Sequence, residues 1–344
     1  METDIEVSQE AQALHDKAML LDGHNDSIIE HWARKDSMDL TQDWPEYQVD
    51  LRRMKGGGLT AMNSMMGGQD LHQSIELWNG MYDQVEKHPD EYLIVRSVAD
   101  IHRCKAEGKI GHIGQLESCR CLGNSIHVLQ MQYRLGLRVG NLTHGDAAET
   151  SLQGTRSLGG YCELADREAA RRVFTGLTDF GREAIAEMNR LGIAVDTAHT
   201  NDAAFFDAVE ASETPIEFSH GACFALCPHW RNLTDEQLKA LADNGGVIGI
   251  IFYRNFIEQD PEKQNLSRVV DHIEHACEVA GEDHVGFGSD YDGIGTSIAM
   301  PPSFIETPQL TQLMLDRGFS EEVILKFWGG NFLRLLTEVE EYAE

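Results

Sequence analysis

Basic residues are scarce in this chain. Lys and Arg total 28 against 57 Asp and Glu, a net charge of −29. Nucleic acid and anionic membranes are both met by positive surfaces, so the balance argues against either as a partner. Excess carboxylates keep a protein in solution; some could instead hold metal, and composition does not separate the two. No apolar run approaches the 18 or so residues of a transmembrane helix. The opening METDIEVSQEAQALHDKAML lacks the basic stretch and apolar core of a secretory leader, which predicts a cytoplasmic protein. Proline is sparse (8) while glycine is plentiful (32), a composition of tight turns without Pro-rich linkers. Seven cysteines form no regular framework and read as reduced, buried thiols. There is no internal repeat, GxSxG elbow, P-loop or dinucleotide fingerprint.

What the chain does have is alternation. Eight short apolar, β-branched runs read as strands: Ala18–Asp22, Leu59–Met65, Gly111–Glu117, Arg138–Thr143, Ile193–Ala198, Pro215–Ser219, Val247–Tyr253 and His284–Ser289. Helical segments lie between them. Thr178–Leu191 carries Ile185, Met188 and Leu191 and stops at Gly192. Thr234–Asn244 opens with a capping box, Thr234 to Gln237. Leu266–Ala280 and Ser320–Leu325 read similarly. Eight strand–helix units predict an α/β fold, a single (β/α)8 TIM-type barrel over residues 1–344, with 1–17 as an N-terminal extension or helix. A doubly wound open sheet is the competitor, since periodicity cannot see closure. Gly145–Glu163, rich in Gly and polar residues, reads as a long loop shaping a site.

The chemistry-bearing residues sit at strand ends. The first strand runs into Asp22-Gly-His24-Asn-Asp26, the third into Glu117, the fourth into Leu-Thr-His144. The fifth runs into Asp196-Thr-Ala-His199, the sixth into His220 and the eighth into Asp290-Tyr-Asp292. In a barrel these ends converge on one face. Imidazoles and carboxylates without thiolates suit Zn²⁺, Mn²⁺, Fe or Co. There are too many for one tetrahedral ion and about enough for two divalent ions sharing a bridging carboxylate and water.

With these residues in place, the chain resembles the renal, or membrane, dipeptidase family of zinc dipeptidases, among the amidohydrolase-like barrels. The resemblance runs from about Leu21 to Arg334. It rests on DGHND, DLRRMKGGGLTAMNSM, GLTDFGREAIAEMNRLGIAVDTAH (Gly176–His199), FSHGACFALCPHWRNLTDEQL, VIGIIFYRNF, GFGSDYDG and GGNFLRLL, in order. It implies that His24 and Asp26 bind one zinc, His199 and His220 the other, and that Glu117 bridges them. It implies that Asp290 handles the proton and that His144 polarises the substrate carbonyl. It also implies that Arg231 receives a terminal carboxylate and that Tyr253 lines the pocket. The activity implied is hydrolysis of small dipeptides, including L-Xaa-D-Xaa, by a metal-bridging hydroxide, and the oligomer implied is a homodimer.

The chain departs from the family pattern at Ser118 after the bridging Glu, at GDAAET after His144, and at Gly221 after His220. These alter the pocket wall more than the reaction. A hydrolase of N-acyl amino acids, lactones or another small amide is the second reading, and a catalytically idle metal-binding homologue the third. Cys119 and Cys121, and Cys223 and Cys227 (one face if helical), read as inert thiols. Asp292 reads as a turn residue, Asp22 as an acceptor orienting His24, and Ser64–Met66 as core.

Overall fold

Strands buried on both faces curve into a ring. The computed structural model describes residues 5–68, 70–144, 152, 175–295 and 299–343. Its strands are β1 (Leu20–Asn25), β2 (Leu59–Met65), β3 (Tyr92–Ile94), β4 (Ile110–Leu116), β5 (Leu137–Asn141), β6 (Ala194–Asp196), β7 (Glu217–Gly221), β8 (Val247–Ile250) and β9 (Val285–Phe287). All pair in parallel in the order β1-β2-β4-β5-β6-β7-β8-β9. The last strand's exit returns to the first through the Asn25–Tyr291 bridge and a bond from Asp290 N–H to the His24 carbonyl (3.1 Å). The fold is a nearly closed (β/α)8 TIM-type barrel, not an open sheet. The helices follow their caps. Asp179–Leu191 is capped by Thr178 and closed by left-handed Gly192, and Asp235–Asp243 carries the Thr234–Gln237 capping box. No helix among the described residues is long and apolar enough to cross a membrane.

Three expectations change. A ninth strand, β3, pairs with β4 just before β5 takes over that edge; three residues are too few to show alternation. β1 begins at Leu20 because Ala18 caps the helix Gln9–Lys17. β7 lies two residues later than predicted, so His220 falls inside the strand. The loop expected at 145–163 lies outside the described residues apart from Leu152.

Inward side chains form layers, as residues two apart share a face. Leu21, Ala61, Ile113, Val139, Ala194 and Val247 cluster with Phe332 and Leu335 of the C-terminal helix Asn331–Tyr342, sealing the bottom. Two residues further along several strands the layer turns polar: Asn63, Gln115, Asn141 and Asp196, all buried. On the opposite side of this layer the lumen is lined by backbone. A Cβ at Gly249 or Gly288 would run into the Ser219 carbonyl. Only glycine permits that approach to β7, the strand that carries His220.

His112, on β4, is fully buried against Ser64 (2.8 Å), and burial pulls its pKa down to about 4. The unfolded chain therefore takes up this proton first as pH falls through 6.5, and the folded state loses stability until about pH 4. The variant His112→Phe is free of this loss. Urea titrations should show it gaining on the wild type by about 1.4 kcal/mol per pH unit across that window. A pH-independent difference would contradict the assignment.

Candidate metal centre

The barrel's upper rim gathers eight of the nine residues singled out in the sequence. Glu117, leaving β4, lies at the middle. Its Oε1 is 3.5 Å from His24 Nε2, 3.0 Å from His199 Nε2 and 3.7 Å from His220 Nε2. His24 Nε2 also lies 3.4 Å from Asp26 Oδ2 and 3.9 Å from Asp290 Oδ1. His199 and His220 bring their Nε2 atoms within 2.9 Å of each other. His144 reaches Glu117 Oε2 at 4.0 Å from a side chain that is 45% exposed. Among the described residues, three groups have ligand atoms close enough to share an ion: His24/Glu117/His220, Glu117/His144/His199 and His24/Asp26/Asp290.

Arg231 closes one side. Its Nη2 donates to the His220 carbonyl (3.2 Å) and lies 3.1 Å from His199 Nε2, while buried Nη1 has no partner among the described residues. Phe218 and Phe256 each stand 5.7 Å from the guanidinium carbon. Tyr253 is the ninth residue. Its ring packs on Phe256 (4.7 Å) and its hydroxyl accepts from Asn255, so it joins the cluster only through Phe256.

Electrostatics set the character of the site. Burial would pull the His24 imidazole down, but Glu117 and Asp26 lift it well above its ordinary range. Burial and nearby positive groups hold His199 and His220 well below theirs. Burial pushes the Asp290 carboxyl well up, and Asp26 and Glu117 add to it. Glu117 is held low despite burial by His144, His24 and Arg231. Burial pulls Arg231 down to about 10, which leaves it charged at neutral pH.

The residues fit a metal. The carboxamide oxygen of Gln115 faces His24 Nδ1 at 2.7 Å, so Nδ1 carries a proton and Nε2 is the nitrogen turned toward the carboxylates of Asp26, Glu117 and Asp290. Three carboxylates gathered around that nitrogen favour a cation between them. Backbone strain is concentrated at the same rim. Ser118, His199, Asp290 and Asp292 all have left-handed φ, between 60° and 72°.

The family model described as membrane dipeptidase, peptidase family M19, matches residues 8–344. The chain belongs to the membrane dipeptidase family. Dipeptidase tcpJ of Claviceps purpurea is 35% identical over 275 residues, 80% of this chain and 61% of that protein's length. Dipeptidase aclJ of Aspergillus oryzae is 33% identical over 351 residues, covering 94% of this chain and 79% of that one. The solved structure of dipeptidase AC, a family M19 metallopeptidase, superposes with a TM-score of 0.82 at 25% identity, covering 93% of this chain and 98% of that one. These relationships place the chain among peptide-bond hydrolases.

Other readings are refined. Asp22 does not touch the His24 ring; it accepts from the Ser289 amide (2.7 Å) and hydroxyl (2.6 Å), tying β9 to β1, and Gln115 holds the ring instead. Asp292 is a turn residue, and it also accepts from the Gln48 amide at 2.6 Å. Cys223 and Cys227 lie in a turn, not a helix, with thiols on the carbonyls of His272 and Asn255. Burial raises both thiol pKa values, which keeps them protonated and unreactive. Met65 and Met66 are buried core. Sequence reasoning passed over Gln115, Asn141 and Ser219. Their signal is a polar residue inside an apolar strand, which burial obliges to find partners.

Proposed function

We propose that this membrane-dipeptidase-family chain is a binuclear metallodipeptidase, cleaving small dipeptides with free ends. The observation that carries the reading is Glu117 Oε1 surrounded by three imidazole Nε2 atoms, with the buried Arg231 guanidinium against one of them. His24 and Asp26 would hold one ion and His199 and His220 the other, with Glu117 between. Imidazole and carboxylate donors without thiolate suit zinc. Bound divalent ions supply a water of lowered pKa and polarise the scissile carbonyl.

The chain's own groups do the rest. Arg231, fixed by the His220 carbonyl and flanked by two aromatic rings, offers Nη1 to the substrate's terminal carboxylate. His144, half-exposed at the mouth, donates toward the developing oxyanion. Asp290, with its carboxyl 3.9 Å from His24 Nε2, takes a proton from the attacking water and returns it to the leaving amine. Tyr253 lines the pocket behind Phe256.

The test is elemental analysis of protein purified without chelator, with Ala–Ala hydrolysis measured on the same sample. Two ions per chain with turnover is the expected result. Two ions without turnover would overturn the substrate assignment. No metal, even after reconstitution, would overturn the ligand set.

A further inference from the structure

Beneath the rim lies a carboxylate that belongs to none of the three groups able to share an ion. Asp196, at the end of β6, is fully buried. Its Oδ2 accepts from Gln115 Nε2 (3.0 Å) and Asn141 Nδ2 (3.0 Å). Its Oδ1 accepts from the amides of Ala198 (2.9 Å) and Ser219 (3.0 Å). Four N–H donors converge on it and offset the burial that raises its pKa. An ionised carboxylate only accepts, so each partner's orientation is dictated.

Three consequences follow from these contacts. Gln115 commits its NH₂ to Asp196, so its oxygen faces His24 Nδ1 (2.7 Å), which must carry hydrogen. Ser219, whose amide Asp196 holds, meets His220 Nδ1 with its hydroxyl (2.8 Å). Both rings turn their Nε2 toward Glu117 Oε1, at 3.5 and 3.7 Å. Asn141 commits its NH₂ to Asp196 and the Ala198 carbonyl, so its oxygen holds the amides of Ser118 (3.3 Å) and Thr143 (3.1 Å). Those two residues adjoin Glu117 and His144.

We infer that Asp196 is the positioning residue of the centre: one carboxylate orients His24 through Gln115 and His220 through Ser219, one on each half of the site, and aligns the segments carrying Glu117 and His144. The inference rests on the ligand set proposed above.

The experiment uses Zn²⁺ and Co²⁺ titrations of the metal-stripped full chain against a competing chelator, with the Co²⁺ absorption spectrum recorded. Asp196→Asn should weaken uptake of both ions, each by about 10–100-fold, the usual effect of losing such a partner. Gln115→Met removes only the relay to His24 and should weaken one ion and perturb one Co²⁺ band set. In the double variant Asp196→Asn with Gln115→Glu, the introduced amide donates to the introduced carboxylate, which accepts from His24 Nδ1. This should restore one ion and leave the other weak, an outcome that a mere packing role would not produce. If Asp196→Asn fails to fold, Gln115→Met carries the test alone. Both ions bound within about twofold of wild type in Asp196→Asn and Gln115→Met would overturn the inference while the dipeptidase reading stands. A wild-type chain that takes up no metal would instead overturn the ligand set itself, and the inference with it.

Discussion

Asp290→Asn should keep its metal and lose its turnover. The expected fall in kcat on a dipeptide is about 10²–10⁴-fold, the range for removing a positioned acid–base group. The side chain keeps its shape, and the Asp290 amide keeps its bond to the His24 carbonyl, so the rim should not rearrange. What is lost is a carboxyl able to take and return a proton. Burial pushes that carboxyl well up, with Asp26 and Glu117 adding to the shift and His24 and Arg231 opposing it. The measurement is steady-state kinetics beside metal analysis of the same preparation. If turnover persists, the proton is handled elsewhere. If metal is lost as well, Asp290 is a ligand, as its 3.9 Å approach to His24 Nε2 would then mean.

Arg231→Met should lower kcat/KM on free dipeptides by roughly 10²–10³-fold, in keeping with about 3–4 kcal/mol for truncating one partner of a buried charge pair. Arg231 is only 3% exposed, and its Nη1 has no partner among the described residues, so a carboxylate arriving there meets a charge stripped of water. The decisive comparison is between a dipeptide and its C-terminal amide. The wild type should prefer the free acid strongly, and the variant should treat the two within a few-fold of each other. An unchanged preference would remove Arg231 from substrate recognition and place its role in holding His199 and His220.

Much of this architecture is legible because two signals are local. Strand ends can be read where an apolar run gives way to polar residues, which is how His24, Glu117, His144, His199, His220 and Asp290 stand out. Helix starts can be read where a side chain satisfies orphan amides, as at Thr178 and Thr234. β3 is missed because three residues carry no period. β7 is displaced because apolar patterning registers Pro215 and Ile216 as readily as the residues that enter the sheet.

By itself, then, the sequence determined the alternation of strands and helices, the set of ligand-type side chains and their order along the chain. It did so because propensity, capping and hydrophobic period act over a few residues. Only the tertiary structure decided closure, through the return of Tyr291 to Asn25. Only it decided which acceptor holds the His24 ring, giving that role to Gln115, 91 residues away, in place of the adjacent Asp22. And only it gathered Gln115, Asn141 and Ser219 around Asp196, because a hydrogen bond across a barrel depends on strand register and lumen width, neither of which any short stretch of chain contains.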